Sequence, residues 1–138
     1  MNPAPSLKGL AMTLAKFLSP ALVALALAAA QPALAHGNTK PQHGGVVLMA
    51  GETVFELVNK AGAVALYVTD DDEPVAATAM TGQISITTGG KTQVVALKPA
   101  DGNRFDAPGA TIPAKSQVAV QVVDTATKTS LGTTFTIN

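Results

Sequence analysis

From Gly45 to Ile137 the sequence runs in short apolar, β-branched stretches that alternate with polar residues, each closed by Gly, Asp, Asn or Pro. This pattern is the strongest constraint on the fold. A period of two places alternate side chains on opposite faces of a pleated strand. Val118, Val120 and Val122 then share a face, as do Val64, Leu66 and Val68, Phe55 and Leu57, Ile84 and Ile86, and Leu131, Thr133, Phe135 and Ile137. No stretch after residue 36 repeats at 3.6 residues, so helices are not expected there. Strands are predicted over 45–50, 53–59, 63–69, 83–88, 91–98, 104–107, 117–124 and 130–137, with a weaker edge strand over 75–80. Gly51-Glu52, Lys60-Ala61-Gly62, Asp70 to Pro74 and Gly89-Gly90 punctuate them, and Gly89-Gly90 reads as a hairpin turn.

From residue 36 onward there are fifteen Thr, thirteen Val and four Ile, a composition that favours pleated surfaces. Seven to eight short antiparallel strands in about a hundred residues predict an all-β fold, an immunoglobulin-like β-sandwich, with a small β-barrel as the alternative. The aromatics of this region are Phe55, Tyr67, Phe105 and Phe135, so the core is expected to be mostly Val, Ile, Leu and Ala.

The first thirty-five residues have a different character. Lys8 and Lys16 precede an apolar run that is interrupted by Pro20 and reaches Ala30, and Ala33-Leu34-Ala35 supplies an A-x-A-like cleavage site. The run is short and Pro-broken for a membrane span of ~20 residues. Residues 1–35 are therefore expected to be a cleaved secretory signal peptide that delivers the chain to the periplasm. Residues 36–44 are expected to form a flexible His-containing tail, and 45–138 the β-sandwich domain. Cleavage leaves seven basic and nine acidic groups, a formal charge of −2. No basic block remains for nucleic acid, and no membrane anchor is expected after cleavage. The sequence has no Cys, which excludes disulfides, thiolate metal sites and a cysteine nucleophile.

No catalytic signature is present, and the chain is not expected to be an enzyme. The only two histidines, His36 and His43, lie close together at the start of the exported region. Cleavage after Ala35 would put an α-amine and an imidazole on His36, able to chelate one metal ion. Both groups lose their protons near neutral pH. His43 could add a third nitrogen, giving a tetragonal set that suits Cu(II), with Gly44-Gly45 turning the backbone into the first strand. Glu52, or a carboxylate of the cluster containing Asp70 and Asp72, is the candidate fourth ligand; the sequence does not choose between them. Cleavage at Ala30 would weaken the chelate and keep both imidazoles. The run 70–73 otherwise reads as a solvated turn, and Met49 and Met80 as core filling.

The segments HGNTKPQHGGVV (36–47), FELV (55–58), ALYVTDDDEPV (65–75), TGQISITTGGKTQVVALKPADGNRF (81–105) and TTFTI (133–137) carry a resemblance. The chain resembles a family of small exported proteins associated with heavy-metal resistance. It is also similar to the amino-terminal module of heavy-metal efflux periplasmic adaptors. The resemblance implies a periplasmic role in handling copper, zinc, cobalt or nickel, beside a heavy-metal efflux complex, with His36 and His43 as ligands. The expected function is a periplasmic transition-metal-binding protein, Cu(II) first, acting as buffer, carrier or efflux accessory. The competing expectation is a module without a metal that recruits another periplasmic protein through its strand edges.

Overall fold

The structure, a computed structural model, describes residues 39–138. The expected signal peptide and His36 lie outside the described residues. Among the described residues nine strands form: β1 (Val46–Ala50), β2 (Thr53–Lys60), β3 (Ala63–Asp70), β4 (Glu73–Pro74), β5 (Met80–Thr88), β6 (Lys91–Pro99), β7 (Arg104–Asp106), β8 (Gln117–Asp124) and β9 (Ser130–Thr136). Every pairing is antiparallel. Among the described residues no helix is long and apolar enough to cross a membrane.

The strands follow one path, β1-β2-β3-β7-β6-β5-β8-β9, with β4 on β3. β6 is the corner. Its residues up to Leu97 pair with β5, whereas Lys98 and Pro99 pair with Asp106 and Phe105 of β7. The sheet therefore folds over into two facing layers, and β1 comes to lie against β9, so that the all-β fold is nearly a closed barrel. The expected sandwich and barrel meet in this arrangement.

The interior is built by the alternation in the sequence. Phe55 and Leu57 from β2 and Val64, Leu66 and Val68 from β3 face Ile84 and Ile86 from β5 and Val118, Val120 and Val122 from β8. Phe55, Phe105 and Phe135 are fully buried, and each contributes roughly 1.5–3 kcal/mol of transfer free energy. Tyr67 is the one described aromatic residue other than His43 that stays out of this core.

Two local expectations come out differently. The weak strand over 75–80 is not formed: Ala77–Ala79 makes a single 3-10 turn and β5 begins at Met80. The alanines there have low strand propensity, and the Ala77 N–H goes to the Gly102 carbonyl rather than to a strand neighbour. Met80 is in the core as expected, but Met49 is not. Leu48 and Ala50 on either side of it pack against the core, so pleat alternation turns Met49 to the outer face beside Val47. Turn chemistry is as read. Gly89 and Gly90 take φ of 56° and 77° between Thr88 and Lys91, the left-handed pair that a two-residue hairpin requires. Asp71 and Asp72 do the same between β3 and β4, at 48° and 62°.

Candidate functional site

On the outer face of β2 and β3, Glu56 lies opposite Tyr67 in the register, and Val47 of β1 lies opposite Glu56. A charged side chain at this position would ordinarily be solvated. Here it is buried, with only 5% of the residue exposed, because residues 42–45 cross over it. A buried carboxylate is costly unless its lone pairs are filled, and all of them are. Oε1 accepts the backbone N–H of His43 at 2.7 Å and of Gly45 at 2.9 Å. Oε2 accepts the backbone N–H of Gln42 at 3.0 Å and contacts Nδ1 of His43 at 3.0 Å. Burial pushes the carboxyl pKa up, but the Gly45 N–H, the His43 ring and the Gln42 and His43 N–H groups together outweigh it and hold Glu56 at about 2. Glu56 is thus an anion at any physiological pH.

The crossing is possible because of two glycines. Gly44 takes φ 76°, a conformation open to glycine and costly for most residues. Gly45 runs so close to β2 that a Cβ there would collide with the Leu57 carbonyl and sit 3.0 Å from Cγ of Glu56. The segment expected as a flexible tail over 36–44 is therefore, from Gln42 to Gly44, fastened onto the sheet.

His43 is the residue this crossing delivers. Its ring lies flat on Tyr67, with centroids 3.5 Å apart and planes within 5°, a face-to-face approach closer than the offset separations that aromatic pairs prefer. Nδ1 is engaged by Glu56, while 41% of the side chain is exposed. The ring forms part of the wall of a cavity of about 270 Å3, whose lining also includes Tyr67, Thr69, Asp72, Lys40 and Asn103. Asn103 is tied into this wall by donating from Nδ2 to the Val68 carbonyl at 2.9 Å.

Of the residues singled out as metal candidates, the structure brings His43 and Asp72 to one cavity. It does not bring Glu52 or Asp70 there. Glu52 is exposed in the turn between β1 and β2. Asp70 accepts a 2.6 Å hydrogen bond from Thr53 Oγ1 and lines a separate cavity with Met80 and Asp124. Among the described residues no three His, Asp or Glu side chains converge as a ready cation cage. The chemistry on offer is one oriented imidazole backed by a carboxylate, the arrangement by which metal-binding histidines are usually held.

Glu56 and Tyr67 are the residues that sequence reasoning passed over. One signal was available for Glu56: it is a lone charge whose neighbours on the same strand face, Val54 and Val58, are apolar. Tyr67 carried a weaker one: with Val64, Leu66 and Val68 on the inner face, alternation puts this aromatic on the outer face, but nothing local pairs it with Glu56. No family model, curated protein or solved structure matches the chain.

Proposed function

We propose that this chain is an exported periplasmic protein that binds a late transition metal, Cu(II) first and zinc, cobalt or nickel as alternatives. In this reading it serves as a buffer, carrier or accessory of heavy-metal efflux and not as a catalyst. One observation carries the reading: the His43 ring is clamped between a saturated, ionised carboxylate and an aromatic face while its other edge meets solvent. A carboxylate on one ring nitrogen with the opposite edge open is the arrangement in which metal-binding histidines are commonly held. Imidazole nitrogen suits copper, zinc and nickel alike, and the neighbouring Asp72 carboxylate is a compatible further donor. In this reading His36, with its α-amine if cleavage follows Ala35, is the further nitrogen donor.

Cu(II) titration of the protein purified after expression of the full chain tests the reading, with mass spectrometry fixing its amino terminus. The expected result is one equivalent bound more tightly than by a scrambled peptide of residues 36–45, and loss of at least tenfold in affinity on His43→Ala. Binding no tighter than the peptide would overturn it.

A further inference from the structure

We propose that Glu56 and Tyr67 are positioning residues that lock the His43 ring in one orientation as the tautomer protonated on Nδ1, so that Nε2 is the donor atom presented to the cavity. What Nε2 binds rests on the proposed function; the tautomer does not.

Hydrogen-bond roles at Glu56 decide which ring nitrogen carries the proton. Four contacts converge on the Glu56 carboxylate, and three of them are backbone N–H groups, from Gln42, His43 and Gly45. A backbone N–H can only donate, and an ionised carboxylate can only accept. The fourth contact, from Nδ1 at 3.0 Å, must therefore also be a donor. Free imidazole in water prefers its proton on Nε2, so the protein inverts the intrinsic preference. In a neutral ring this leaves the Nε2 lone pair bare, and the tautomer of a metal-binding histidine is set in this way by the partner of its other nitrogen.

Tyr67 supplies the second constraint. A single hydrogen bond to Nδ1 leaves the ring free to tilt about it. Stacking at 3.5 Å with planes within 5° fixes the tilt and aims the Nε2 edge. The two residues face each other across β2 and β3, so the sheet holds both constraints at a fixed spacing.

The same logic predicts an inversion on Glu56→Gln. An amide offers one accepting and one donating end. The oxygen should take the position now held by Oε1, where two backbone N–H groups donate. The amide NH2 would then face both the Gln42 N–H, which loses its acceptor, and Nδ1, which must accept, so the ring proton would move to Nε2. Shape is nearly unchanged, but the donor atom is capped.

The experiment is 15N NMR of histidine-labelled protein, purified after expression of the full chain and free of metal, at a pH where the ring is neutral. His36→Ala identifies the His43 signals. In the wild type, Nδ1 is expected in the protonated, pyrrole-like region and Nε2 in the bare, pyridine-like region; the reverse would overturn the proposal with no variant needed. In Glu56→Gln, shown folded by its amide spectrum, the two should exchange, and affinity for Cu(II) or Zn(II) should fall about 10–100-fold. An unchanged tautomer or unchanged affinity in that variant would overturn the role of Glu56. Tyr67→Phe should retain wild-type affinity and ring order, and Tyr67→Ala should lose both; equal behaviour of the two would overturn the role of Tyr67. The expected tautomer in a wild-type protein that binds no metal would remove the proposed function and leave the positioning intact.

Discussion

Phe55 and Glu56 are neighbours on β2, on opposite faces of the sheet, and both are buried. They are held there by different physics. Phe55 packs among many apolar neighbours, so its burial is non-directional and tolerates small shifts. Glu56 is buried by a handful of hydrogen bonds whose donors come almost entirely from residues 42–45. Losing the first kind of burial weakens the whole domain. Losing the second frees a short segment and the histidine it carries. The inner face of this strand makes the fold, and the outer face makes the site.

Phe55→Ala should have the largest effect, lowering unfolding free energy by about 3–5 kcal/mol in urea denaturation and accelerating hydrogen exchange in no single segment selectively. Gly45→Ala should cost about 1–3 kcal/mol as the added methyl meets the Leu57 carbonyl. Its signature is local, with hydrogen exchange accelerating at Gln42 and His43 before the core strands are affected. A loss spread evenly over β5, β8 and β9 would refute the division.

Acid should act on the outer face first. Glu56 has a lower pKa folded, about 2, than the 4.5 of a free carboxyl, so its contribution is complete above the free value. It is lost as pH falls from 4.5 toward 2. Amide protection at residues 42–45 should decline through that window while the core persists, and Glu56→Gln should abolish the decline. The smallest effect is expected on the opposite layer. Val94 is 60% exposed, and Val94→Thr should change stability by no more than about 0.5 kcal/mol.

The fold was legible because its determinants are local. The alternation of Val118, Val120 and Val122, the Gly89-Gly90 hairpin and the left-handed Asp71-Asp72 turn each depend on residues close in sequence. The candidate site was legible only as His43 and Asp72. Glu56 lies thirteen residues from His43, and its burial depends on a segment that, read alone, is a polar tail before the first strand. Tyr67 belongs to the site because pairing sets it opposite Glu56, a fact of register that no local pattern contains. Met49 was misplaced for a related reason: an apolar run does not say which of its alternating members faces inward.

The approach of β1 to β9 has a consequence for how this protein survives at high concentration. An open sheet offers its outermost backbone amides and carbonyls to any other chain, and many proteins deter such pairing with charge along the rim. This sequence is only 13% charged, and the region from residue 36 carries almost balanced signs. Having its two boundary strands approach each other narrows the open backbone that either can offer to a second chain, a protection by geometry that does not draw on charge.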